Sequence, residues 1–153
     1  MQRFAMDLMK PFAVSYRIIR KERESPLTQK QGEVIAWLNR AFFEEMKLEA
    51  FRDYKQRKAE YAEQIGNGTD TKAIEKTIAE EKCLEQERIV AACREEIEQA
   101  IEQIQDPVLE AVLIRRYLNF EQLDEIAAHM HYSVRAVSYK LQQAREKIAD
   151  FCR

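Results

Sequence analysis

Apolar residues recur every three or four positions along most of the chain, and the breaks in that rhythm divide it into blocks. Val34, Trp37, Ala41, Leu48, Phe51, Ala62 and Ile65 keep helical spacing, with Glu44, Lys55 and Lys58 in the remaining slots. Thr28 followed by Gln31 forms a capping box, in which each side chain satisfies a backbone amide at the helix start, and Gly66 is a stop signal. One long helix is predicted between them. Gly66-Asn67-Gly68 is the sharpest turn signal in the chain. Beyond it Ala79, Cys83, Gln86, Val90, Cys93, Ile97, Ala100 and Ile104 alternate steps of four and three, which predicts a second long helix capped by Thr69 or Asp70. Two long helices on a short turn fold back as an antiparallel, coiled-coil-like hairpin. Neither stripe is fully apolar, so a further partner is expected to shield it, either the N-terminal segment or a second copy of the chain, and a homodimer is expected.

Asp106-Pro107 ends the second long helix and opens another with proline in its first turn. Three short helical periods follow, at 108–118, 121–130 and 133–151, separated only by Asn119-Phe120 and His131-Tyr132. The predicted organisation is therefore all-α. It consists of a basic N-terminal arm or helix at 1–27, a long helical hairpin at 28–105, and a trihelical helix-turn-helix domain at 106–153. In the arm, Phe4, Leu8, Phe12, Ile18 and Ile19 have helix-like spacing interrupted by Pro11.

Composition agrees with this reading. Among 153 residues there are three Gly and three Pro, too few for the frequent turns of an all-β protein. Charged residues make up 34%, and the longest apolar runs, at 34–38 and 89–93, fall far short of the roughly 18 residues of a membrane span. The first residues lack the basic-then-apolar order of a signal peptide. A soluble, cytoplasmic protein is expected, with no membrane partner.

Candidate chemistry is sparse. Cys83, Cys93 and Cys152 have no CxxC spacing and read as reduced, buried thiols. His129 and His131 have no cysteine near them, and no phosphate-binding or hydrolase motif occurs. Neither a metal, a cofactor nor an enzymatic activity is expected. The net charge of −2 is uneven, however. Residues 1–32 are basic and residues 66–105 strongly acidic, whereas 133–147 hold Arg135, Lys140, Arg145 and Lys147 against Glu146 alone. A nucleic-acid footprint is a local property, and this stretch is a candidate for one.

In that stretch Ile126 and Met130 are expected to pack inward from the first motif helix. Ala127 is small enough for a close helix crossing, and Tyr132 is expected to plug the turn. Ser133 is the expected cap of the next helix. Val137, Leu141, Ala144 and Ile148 form its buried stripe, leaving Arg135, Ser138, Tyr139 and Gln142 on the other face. A helix that reads the major groove needs donors and acceptors of this kind near its N-terminus. Arg135 is the candidate for a base edge, since arginine pairs bidentately with guanine. Ser133, Ser138, Tyr139, Lys140, Gln142 and Arg145 complete the candidate DNA-binding set, and Arg115 and Arg116 are expected to brace neighbouring helices.

The segments Arg115-Arg116-Tyr117-Leu118, Asp124-Glu125-Ile126-Ala127 and Tyr132-Ser133-Val134-Arg135-Ala136-Val137 resemble region 4 of bacterial sigma-70 factors. The chain is similar above all to phage-encoded sigma-like transcription regulators of the RinA and ArpU type, over roughly residues 34–153. Two positions depart from the pattern. His131 stands where such motifs usually carry glycine, and Lys140 where many carry an apolar residue. The resemblance implies a sequence-specific regulator of phage or prophage origin that binds double-stranded DNA, with RNA polymerase as a further partner. The alternatives are a phage packaging component of the small-terminase kind and a helical interaction module without DNA contact.

Overall fold

The computed structural model describes residues 28–65 and 70–152; the basic arm at 1–27 and the turn signal at 66–68 lie outside the described residues. Six α-helices and one π-helical turn make up the described residues, with no strand among them. In chain order these are α1 (Gln29–Leu38), α2 (Arg40–Ile65), α3 (Asp70–Glu102), α4 (Pro107–Leu113), the π turn (Ile114–Leu118), α5 (Leu123–Met130) and α6 (Val134–Ile148). No helix among the described residues is long and apolar enough to cross a membrane.

Local chemistry accounts for most of the boundaries. Thr28 and Gln31 form the expected box, with the Gln31 amide donating to Thr28 Oγ1 at 3.3 Å and the Thr28 amide donating to Gln31 Oε1 at 3.0 Å. Asp106 caps α4 by accepting from the amides of Val108 and Leu109, with Pro107 placed where a missing N–H costs nothing. One boundary was not foreseen. The single helix predicted from Thr28 to Gly66 is interrupted at Asn39, whose ψ of −2° leaves the helical ladder before Arg40 resumes it. Arg40 anchors this break. Its guanidinium lies 4.7 Å from the Trp37 ring centre, donates to the Trp37 carbonyl, and pairs with Glu96 at 2.8 Å.

The described chain falls into two compact units, and their division differs from the boundary expected at 105/106. One unit joins α1 and the last turns of α3 to α4, the π turn, α5 and α6; the other comprises residues 41–95. In the first unit Leu38, Ile97, Ile101, Leu113, Tyr117 and Ile126 are fully buried, and α6 packs against α1, α4 and α5. The sequence reading overlooked Ile35 and Leu38 because they fall off the seam drawn through Val34, Trp37 and Ala41, yet both are buried.

In the second unit the predicted positions Ala79, Cys83, Gln86, Val90 and Cys93 are all buried on α3. Cross-helix ion pairs Arg94–Glu45, Arg52–Glu87 and Lys58–Glu75 run in opposite order along α2 and α3, so these helices are antiparallel. Gln86 is buried without penalty because its side-chain amide donates to the Glu44 carboxylate at 2.6 Å and to the Glu44 carbonyl.

Candidate nucleic-acid interface

The site is built around the α5–α6 junction. α5 is amphipathic, with Ile126 and Ala127 buried against its neighbours and Met130 half-buried. It stops at His131, which takes the left-handed conformation (φ 58°, ψ 37°) and lets the Tyr132 amide reach back to the Ala127 carbonyl at 3.0 Å. Glycine adopts that conformation without a Cβ penalty, so histidine here stores strain. Ser133 then caps α6, its hydroxyl accepting from the Ala136 amide at 3.1 Å, as expected. Tyr132 does not plug the turn. Its side chain is exposed and Lys140 Nζ sits 5.5 Å from its ring centre, whereas Ala127 of α5 and Val137 and Leu141 of α6 are buried.

Val137, Leu141, Ala144 and Ile148 are all buried, and this inward stripe determines what α6 turns outward. Arg135 and Tyr139 stand at the centre of the outer face, with Tyr139 64% exposed. Among the described residues Arg135 makes no hydrogen bond or ion pair, so its fork of donors is directed at solvent. Lys140 and Lys147 lie along one edge of this face. Ser138 and Gln142 lie along the other, where with Thr28, Gln31 and Val34 of α1 they line a groove of about 830 Å³.

Not every candidate stands on that ridge. Arg145 is half-buried and turned toward the π turn, donating from Nε to the Tyr117 hydroxyl at 2.7 Å. Gln142 is within hydrogen-bonding reach of Glu146 at 3.5 Å. Arg115 and Arg116 brace the fold, and they do so through one residue. Arg115 holds the Glu121 carboxylate with two contacts of 3.1 and 3.3 Å, while the buried Arg116 donates to the Glu121 carbonyl. His129 Nδ1 lies 3.3 Å from the same carboxylate. Glu121 is a structural hub that the sequence reading missed, because the π turn that brings residues 115 and 116 back over it has no recognisable signature. Its wide ladder, with the Asn119 amide bonded to the Ile114 carbonyl five residues back, replaces the last turn of the single helix predicted at 108–118.

Of the three cysteines, Cys83 and Cys93 are buried and Cys152 is half-buried. Burial pushes the Cys152 thiol up to about 11, against the opposing pull of the Arg40 charge, so it is a poor nucleophile. No cluster of three or more His, Cys, Asp and Glu side chains suited to a metal occurs among the described residues. Searches of protein-family models, curated proteins and solved structures return no match to the chain.

Proposed function

We propose that the chain is a sequence-specific DNA-binding transcription regulator whose residues 106–153 act as a trihelical helix-turn-helix, with α6 as the reading helix. The observation that supports this best is the outward pose of Arg135. It stands in the first turn of a capped helix whose opposite face is fully buried, and none of the described residues holds it. A guanidinium so placed can meet guanine O6 and N7 in a major groove. The resemblance to sigma region 4 points the same way, and it is the sole ground for RNA polymerase as a partner and for a phage or prophage origin. In this reading the antiparallel α2–α3 pair belongs to the long hairpin, whose acidic residues would repel phosphate.

The structure sharpens the expected electrostatics. With Arg115, Arg116 and Arg145 engaged inside the fold, Arg135, Lys140 and Lys147, the last 4.0 Å from Asp106, are the cations that the described part of this domain offers a duplex. The logarithm of the binding constant should then fall against the logarithm of salt with a slope of about −2 to −3 per chain.

The deciding experiment is immunoprecipitation of the tagged full chain with sequencing of the recovered DNA, scoring RNA polymerase in the same sample. Recovered sites should share a motif. Against that motif Arg135→Ala should cost about 1–3 kcal/mol and relax the preference at one base pair, with helicity unchanged. Uniform loss on all sequences would make Arg135 a phosphate contact, and absence of enriched DNA would favour an interaction module.

A further inference from the structure

Eight of the thirteen large apolar side chains that stand exposed among the described residues lie within residues 41–95. Most of these fall into two stripes. On α2, Phe43, Tyr54 and Tyr61 point within a narrow arc, and on α3 Ile74, Ile78 and Ile89 do the same, each set turned about 110° from its helix's buried seam. In an antiparallel pair, stripes offset in the same sense fall on the same side. The Lys58–Glu75 pair also spans the helices on this side, while Arg52–Glu87 and Arg94–Glu45 span the other. The register of the ion pairs nearest to it puts Tyr61 level with Ile74. The unit thus has one exposed apolar face shared by both helices.

We infer that this face is the contact surface for a second copy of the chain, packed so that α2 of each copy lies on α3 of the other. Two observations select that occupant. The first is charge. The α2 half of the face holds Lys47 and Arg57, and the α3 half holds Glu81 and Glu85 with Lys82 beside Ile89, so the two halves carry opposite net charge. A two-fold axis along the helices sets Tyr61 against Ile74 of the second copy and brings Arg57 within about one helical turn of its Glu81. An axis across the helices would set cation on cation and acid on acid. Arg57 and Glu81 have no ion pair within the chain among the described residues, so both are available. The second is size. From Phe43 to Tyr61 the face runs about 27 Å, and two helices make it about 20 Å wide, which gives about 1,000 Å² over both copies, where specific interfaces begin. An interface at the lower end of the specific range is expected to dissociate on dilution.

Sedimentation equilibrium of the full chain without DNA tests this independently of the DNA-binding reading. From tens of nanomolar to tens of micromolar the mass should pass from monomer to dimer. Ile78→Glu should weaken the dimer by about tenfold or more at unchanged helicity, whereas Leu84→Glu, exposed but off the face, should leave it intact. Arg57→Glu should weaken it, and combining it with Glu81→Arg should restore it. A monomer at every concentration, equal effects of Ile78→Glu and Leu84→Glu, or a failed charge swap would each overturn the inference.

Discussion

The two units are made of the same residue types and the same secondary structure, yet they place their large apolar side chains in opposite ways. The nine largest fully buried side chains, Tyr117, Leu38, Ile97, Ile101, Leu113, Ile126, Ile148, Val112 and Val137, all belong to the unit that contains α4–α6. In residues 41–95 the buried seam is mostly small or polar (Ala41, Ala79, Cys83, Gln86, Cys93), and Tyr54, Tyr61 and Ile74 are more than half exposed. Two helices alone can bury one stripe each, whereas five short helical elements can enclose a side chain from all sides. The first unit is therefore specified by packing. The second is specified by cross-helix charge and by whatever covers its open face.

That contrast can be broken most directly with core truncations. Ile126→Ala should destabilise the chain by about 2–5 kcal/mol in chemical denaturation, since a fully buried site cannot collapse around the lost atoms. Ile78→Ala, in the other unit and 47% exposed, should change stability by less than about 0.5 kcal/mol at concentrations where the chain is monomeric. Equal costs would mean that the α2–α3 pair has a core as tight as its neighbour's.

Smaller effects test how each unit is held. Ser133→Ala removes the hydroxyl that accepts the Ala136 amide and should cost about 1 kcal/mol, read as a lower midpoint of thermal unfolding. His131→Gly should stabilise by about 0.5–1 kcal/mol, because glycine relieves the left-handed strain at φ 58° by more than it adds to the entropy of the unfolded chain. If His131→Gly destabilises instead, the histidine side chain contributes something at the turn that outweighs its backbone strain. The least effect should come from Arg52→Ala. It removes exposed pairs to Glu49 and Glu87 and should cost about 0.2–1 kcal/mol at low salt and almost nothing at high salt. Salt sensitivity of this kind in the Ile126 unit would contradict the division drawn above.

The elements themselves were legible because helix start signals and apolar periodicity are local. Thr28 with Gln31, Asp106 before Pro107, and the run Val137, Leu141, Ala144, Ile148 need no knowledge of distant chain. Three features were not legible. The break at Asn39 leaves its amide bonded to Ile35 in a nearly helical way, so the sequence shows no proline or glycine to announce it. The π turn accompanies Arg115 reaching the Glu121 carboxylate and Arg116 its backbone carbonyl, contacts that no spacing announces. The diversion of Arg145 depends on Tyr117, 28 positions earlier.

What the sequence determined alone is the helical character of the chain, the caps at Thr28, Asp106 and Ser133, and the face of α6 that carries Arg135, Ser138, Tyr139 and Gln142. Each follows from periodicity and from hydrogen bonds within a few residues. What only the tertiary structure decided is which cations remain available and which helices share a core. Arg145 stands in the same candidate set as Arg135 in the sequence, but long side chains choose partners by three-dimensional reach, and it turns to Tyr117. Likewise α1 continues into α2 along the chain yet packs on α6, since burying Ile35 and Leu38 requires a surface that no nearby residue supplies. Helix formation is governed by neighbours in sequence; charge pairing and burial are governed by neighbours in space.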